Sequence, residues 1–224
     1  DHLDYHKNMK NYLNAKLILF SHLLKKKRNI VLDENIKEFN ILKKIAINKN
    51  LKISSINKTM VKNFNPNNKL IGIFQKKNLL MAMSIAHLSG LSKNIINKSL
   101  KKIKNVNGRL ELIRTLPNKS KIFIDYAHSP DALCSVLQSL KDFYNKDISI
   151  VFGCGGERDV KKRPLMAKIV RNFCKKIYVT DDNPRNENPK KIRAAIIRNL
   201  KKGSFLEISD RLKAIQTAIK NSQP

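Results

Sequence analysis

The 224 residues carry 46 Lys and Arg against 17 Asp and Glu, a formal net charge of +29, and contain no Trp. That length buries a full core in one large or two small domains; no apolar run is long enough to cross a bilayer, and no secretory leader pattern opens the chain. Three widely spaced cysteines (Cys134, Cys154, Cys174) indicate neither a disulfide framework nor a zinc knuckle, and a reducing cytoplasmic setting is expected. The charge would attract polyanions, yet the lysines are spread along the chain, aromatic interleaving is sparse and no helix-turn-helix, zinc-finger or RNA-recognition signature occurs. Weak, salt-sensitive RNA binding and no specific nucleic-acid role are expected.

In chain order, the spacing predicts a helix over 12–24, a strand over 29–32 and a helix over 36–47. The Asn- and Lys-rich stretch 57–69 reads as loop. A strongly apolar helix follows over 78–89 and ends near Gly90. Pro117-Asn118-Lys119 interrupts two ordered stretches and is read as the domain boundary, giving units 1–116 and 117–224. From there the pattern alternates. Lys121–Tyr126 is a strand; Ser129 caps and Pro130 opens a helix with Leu133, Val136, Leu137 and Leu140 on one face. Ile148–Phe152 is a second strand, followed by Gly153-Cys154-Gly155-Gly156 and a helix from Pro164. Ile177–Thr180 is a third strand, Asn188-Pro189 repeats the cap-and-proline device, and Phe205–Ile208 with a last helix completes the series. Strict alternation of strand and helix argues an α/β fold with a mostly parallel, doubly wound sheet.

Ligands of such sheets sit at the carboxyl ends of the strands. Three strand ends carry chemistry here: Asp125-Tyr126-Ala127-His128, Gly153 through Asp159, and Asp181-Asp182-Asn183-Pro184-Arg185. The glycines permit close backbone approach and leave amides for an anion. A guanidinium pairs two parallel N–H groups with a carboxylate, so Arg158 and Arg185 in one crevice suit a ligand bearing carboxylates, and neighbouring acids suit its ammonium. The turn at 182–185 taken alone is an ordinary Asx-Pro exit from a strand. At the other end, His2 and His6 are four residues apart and could share a helix face and a metal. Lys16 sits among Tyr12, Leu13, Ala15, Leu17 and Ile18; partial desolvation would free its amine, although a lysine whose head reaches water is the commoner case.

Asp125-Tyr-Ala-His-Ser-Pro-Asp-Ala-Leu133, Phe152-Gly-Cys-Gly-Gly-Glu-Arg-Asp159, Lys162-Arg-Pro-Leu-Met166 and Asp181-Asp-Asn-Pro-Arg185 resemble the Mur ligases of peptidoglycan synthesis. Asp1-His-Leu-Asp-Tyr-His6 with Lys16, and Asn107-Gly-Arg-Leu-Glu111, match the same family's central domain in the same order. The resemblance implies a partial ATP-binding central domain followed by a Rossmann-like C-terminal domain. It also implies amide formation in two steps, phosphorylation of a D-glutamyl carboxylate by ATP and then attack by the incoming amine. His2 matches a magnesium ligand and Lys16 a carbamylated lysine. Asn78, Arg109 and Asp125 match ATP-contacting positions. Arg158, Asp182, Asn183, Pro184 and Arg185 match the pocket for meso-diaminopimelate, whose second carboxylate distinguishes it from lysine. The implied substrates are UDP-N-acetylmuramoyl-dipeptide and meso-diaminopimelate, the cofactors ATP and Mg2+, and the state a cytoplasmic monomer.

The departures from that pattern are specific. No Gly-Lys-Ser/Thr occurs, so the family's phosphate-cradling loop is missing. The family's final Gly-Lys-Gly-His-Glu loop is missing too, Gln75 replaces an expected Asn, and the stretch before Gly72 is short. Opening on Asp1, the chain reads as a piece of something longer, without ligase activity alone. The rival expectations are a decayed or split-gene relic, a basic RNA-binding module, and a metal-binding structural protein using His2 and His6.

Overall fold

The computed structural model describes residues 3–66 and 70–223. They form two compact units, one spanning Tyr5–Asn105 and the other holding Val106–Pro224.

α1 (Leu3–His6) straddles the division between the units, and in the first unit α2 (Met9–Ile18) leads into a π-helical turn over Leu19–Leu23. β1 (Asn29–Asp33) and β2 (Lys52–Ile56) pair in parallel, Ile30 opposite Ile53 and Asp33 opposite Ile56, with α3 (Phe39–Asn48) as the crossover. The small core is Ile30, Leu32, Leu42, Ala46 and Leu51. Beyond it come α4 (Lys58–Asn63), α5 (Ile73–Leu88) and α6 (Lys93–Leu100). The loop expected over 57–69 is therefore corrected at its start. Asn57 accepts the Met60 amide through its side chain and caps α4, whose single buried residue is Val61. A one-and-a-half-turn helix with one buried side chain leaves no apolar period to read.

The second unit opens with a hairpin, β3 (Glu111–Thr115) against β4 (Lys121–Ile124), antiparallel and bulged between Leu112 and Arg114. Its turn is Leu116–Ser120, closed by the Leu116 amide donating to the Ser120 carbonyl at 2.8 Å, with Lys119 at φ 67°. Pro117-Asn118-Lys119 is thus a hairpin turn, and the units divide about ten residues earlier, between Asn105 and Val106. The strand read at 121–126 pairs in this hairpin and not in the parallel sheet, because the turn folds 111–115 back onto it.

After β4 the alternation holds. α7 (Pro130–Tyr144) is capped by Ser129, whose hydroxyl accepts the Ala132 amide, and ends at Asn145 in the left-handed region. β5 (Ile148–Phe152), α8 (Lys162–Phe173), β6 (Cys174–Val179), α9 (Pro189–Ile197), β7 (Phe205–Glu207) and α10 (Arg211–Lys220) follow. The sheet is parallel in the order β5-β6-β7, with Phe152 opposite Val179 and Val179 opposite Glu207. Leu133 and Leu137 of α7, Met166, Ala167 and Val170 of α8, and Ile192 and Ile196 of α9 bury one stripe each against Phe152, Ile177 and Val179. Each such aliphatic side chain contributes roughly 1.5–3 kcal/mol. That core fixes the carboxyl ends of β5 and β6 side by side, and the site is built on them.

Candidate functional site: two strand-end loops bound to each other

The loop after β5 runs from Gly153 to Asp159, and the loop after β6 from Thr180 to Glu187. They touch along their length. Thr180 donates its amide to the Phe152 carbonyl at 3.0 Å, and Gly156 donates to the Asn183 carbonyl at 2.9 Å. A Cβ at Gly156 would overlap the Pro184 carbonyl, and one at Gly153 the Thr180 carbonyl oxygen. The glycines therefore serve close packing of backbone on backbone. The Gly156 amide, expected to wait for an anion, is already committed to Asn183.

Side chains add a second set of bonds. Arg163, in the first turn of α8, is 2% exposed and pairs bidentately with Glu187, Nη1 to Oε1 at 2.6 Å and Nη2 to Oε2 at 2.7 Å. Its Nη2 also reaches the Gly155 carbonyl at 3.3 Å. Glu187 accepts the Glu157 amide at 3.3 Å, and Asn186 donates to the Glu157 carboxylate at 2.8 Å. The bond to Arg163 holds the Glu187 carboxyl below the ordinary glutamate value, burial opposing only in part. The Arg163 guanidinium rises in turn, through the same bond. Sequence reading missed this pair. The available signal was a cation in the first turn of a helix, where the macrodipole opposes it unless an acid compensates.

The predicted amino-acid site residues come together on these loops. Arg185 lies at φ 50° and donates Nη1 to the Gly156 carbonyl at 2.7 Å, so its guanidinium lies across the glycine loop. Arg158, Asp182 and Asn183 are exposed on the same two loops, and Pro184 is half-buried. Asp181 is spent elsewhere. It pairs with Arg193 of α9, which also donates Nε to Glu207 at 2.7 Å, tying the ends of β6 and β7. The bond to Glu207, ahead of that to Asp181, raises the Arg193 guanidinium against the effect of burial.

Arg109 and Asp125 also share a neighbourhood. The Asp125 carboxylate accepts the Leu110 and Ala127 amides, each at 2.7 Å, and the Arg109 guanidinium stands 5.3 Å from the centre of the Tyr126 ring. Lys162 donates to the His128 carbonyl at 2.9 Å, tying this strand end to the start of α8. Asn78 lies exposed on α5 in the first unit. Of the two readings of Lys16, partial desolvation and a head that reaches water, the structure shows the second: Lys16 is exposed, its ammonium 4.8 Å over the Tyr12 ring. The apolar neighbours in sequence do not enclose it, because α2 has no buried residue. His2 lies outside the described residues.

Two further features carry other chemistry. Asp33, 5% exposed at the carboxyl end of β1, pairs with Lys77 at 2.7 Å and accepts the Asn35 amide at 2.9 Å. Burial would raise its carboxyl, but these bonds outweigh that and hold it below the usual aspartate value. Cys154 and Cys174 are pushed up by burial to about 11 and about 12, which leaves both as inert thiols. A cavity of about 580 Å³ in the first unit, lined by Phe20, Leu24, Ile30 and Ile85 together with Lys25 and Arg28, holds none of the predicted site residues.

A family profile described as "Mur ligase, glutamate ligase domain" matches residues 108–224, and one described as "Mur ligase middle domain" matches residues 1–86. The UDP-N-acetylmuramoyl-L-alanyl-D-glutamate–2,6-diaminopimelate ligase of Rickettsia bellii (strain RML369-C) is 39% identical over 99% of this chain and 51% of its own length. A solved structure of an enzyme with that name aligns over 100% of this chain and 50% of its own, with TM-score 0.55 and 30% identity. MurF from Acinetobacter baumannii shares the fold at TM-score 0.71 and 14% identity, over 98% of this chain and 50% of its own. The chain thus spans about half the length of the relatives it matches. The first profile alone covers more than half of the chain, and the sequence belongs to the Mur ligase family.

Proposed function

We propose that this chain is part of an ATP-dependent ligase that joins meso-diaminopimelate to UDP-N-acetylmuramoyl-L-alanyl-D-glutamate in peptidoglycan precursor synthesis. Its own contribution is the amino-acid pocket. The observation that supports this reading is the pair of interlocked strand-end loops, on which the Arg185 guanidinium lies against Gly156 and which also carry Arg158 and Asp182. Arg185 keeps donors besides the one given to Gly156, and a guanidinium fork fits the second carboxylate that separates meso-diaminopimelate from lysine. Asp182 and its neighbours suit the ammonium beside that carboxylate. The names of the relatives, which span the whole of this chain, support the same substrate. Such a ligase works in the cytoplasm, and this chain is read as a monomer.

The residues present fit the nucleotide only in part. Arg109, Asp125 and Tyr126 offer a cation, an acid and a ring at one place, which suits a ribose and base. No Gly-Lys-Ser/Thr occurs to cradle the phosphates. Among the described residues no group of three His, Cys, Asp or Glu could hold a metal. The described donor set alone thus does not make a Mg2+ site, His2 lying outside it, and no catalytic step is assigned to this chain through the metal. Its role is to bind and orient the amine donor, and ligase activity is absent from the chain alone.

Equilibrium dialysis with labelled meso-diaminopimelate tests the pocket. The wild-type chain binds it, and Arg185→Ala and Arg158→Ala each weaken binding about tenfold or more, the loss of a charged hydrogen-bond partner. Unchanged binding in both variants, with circular dichroism intact, would overturn the assignment.

A further inference from the structure

We propose that Arg163 and Glu187 are positioning residues that set the placement of Arg185 and so the preference of the pocket for a ligand with a second carboxylate. This rests on the reading of the loops as an amino-acid pocket. The Arg163 side chain is 3% exposed and cannot face a ligand, and the Glu187 side chain, 27% exposed, spends both carboxylate oxygens on Arg163. What they do is clamp. Arg163 holds the Gly155 carbonyl of one loop and the Glu187 carboxylate of the other, while Glu187 holds the Glu157 amide in return. Between these bonds lie the Gly156–Asn183 bond and the Arg185–Gly156 bond.

The backbone supplies an independent sign. Glu157 on one loop and Arg185 on the other both occupy the left-handed region, at φ 51° and φ 50°. Non-glycine residues held there cost on the order of 1 kcal/mol each and persist where surrounding bonds over-determine them. Both strained residues sit inside the clamp. Remove the clamp and Arg185 is free to relax, taking its guanidinium away from Gly156. A shift of about 1 Å in a recognition group is enough to cost an oriented contact. The Arg163–Glu187 pair is planar and bidentate, so Lys in place of Arg163 keeps the charge but loses the two-point hold.

Two readouts on the full chain separate this proposal from the one it rests on. Amide hydrogen exchange at Gly156 needs no ligand. Glu187→Gln and Arg163→Lys should each speed it about tenfold or more, as expected for loss of a charge-assisted hold, while Val179 and Ile196 in the core keep their protection. The ratio of meso-diaminopimelate to L-lysine affinity is the second readout, and it should fall several-fold in both variants. A purely structural role would loosen core and loop amides alike and leave the ratio unchanged, which overturns the proposal. Wild-type Gly156 protection retained in both variants overturns it too. If wild-type chain shows no preference for meso-diaminopimelate while Gly156 loosens selectively, the pocket assignment fails and only the loop clamp stands.

Discussion

Glu187 is the residue through which the site answers to pH. Its folded-state carboxyl titrates below the ordinary value because Arg163 donates to it, so the stabilisation is complete above the unfolded glutamate value of about 4.3. It is lost as pH falls through the lower folded value. Urea unfolding followed by near-ultraviolet signal should therefore give flat stability from about pH 5 to 7 and a decline below about pH 4. Glu187→Gln removes part of that decline. Glu187→Ala leaves a buried guanidinium without its acid and costs on the order of 3 kcal/mol at neutral pH, somewhat less if water reaches the gap. An Ala variant within a few tenths of wild type would show that the pair carries no net stabilisation. Asp33 with Lys77 adds a second acid-sensitive hold of the same sign in the other unit.

At the scale of elements, what the sequence disclosed followed the strength of the period. α7, α8 and α9 were legible because each buries a stripe of aliphatic side chains at helical spacing against the sheet, and Ser129-Pro130 and Asn188-Pro189 mark two of their starts. β5 and β6 stood out as short apolar runs. The hairpin did not, because four of the five residues of β3 are exposed and its Glu-Leu-Ile-Arg-Thr run buries no face. α4 escaped for a similar reason. The arginines and the Asp-Asn-Pro-Arg turn were readable as strand-end residues, and the fold puts them at the ends of β5 and β6. The Arg163–Glu187 clamp was not, since its members lie 24 positions apart and only the tertiary fold joins them. Lys16 shows the converse, an apolar context in sequence that the fold does not close over. The glycine loop offers a test at this scale. Gly156→Ala would push a methyl into the Pro184 carbonyl and should destabilise the second unit by about 1–3 kcal/mol, the usual range for overpacking. Gly203, at φ 84° with no neighbour within reach of a Cβ, provides the comparison: Gly203→Ala carries only backbone strain, about 1 kcal/mol. Equal losses in the two variants would mean that the close approach of the loops does not matter.

For the molecule as a whole, a charge of +29 and a family fold point in different directions, and the fold is the better guide to function. The lysines lie mostly exposed along both units, so polyanion contacts should weaken steeply with salt, while recognition through a bidentate arginine depends on geometry. Among the described residues no helix is long and apolar enough to cross a membrane. The relatives that match the full chain are about twice its length, and the phosphate-binding sequence is not among these 224 residues. The amino-acid pocket proposed at the ends of β5 and β6 can be tested on this chain alone. Isothermal titration of the wild-type chain with meso-diaminopimelate and, separately, with L-lysine tests it most directly. A pocket that reads the second carboxylate should bind meso-diaminopimelate at least about tenfold tighter, the discrimination expected of one charge-assisted hydrogen bond. Equal affinity for the two amino acids, or tighter binding of lysine, would contradict it.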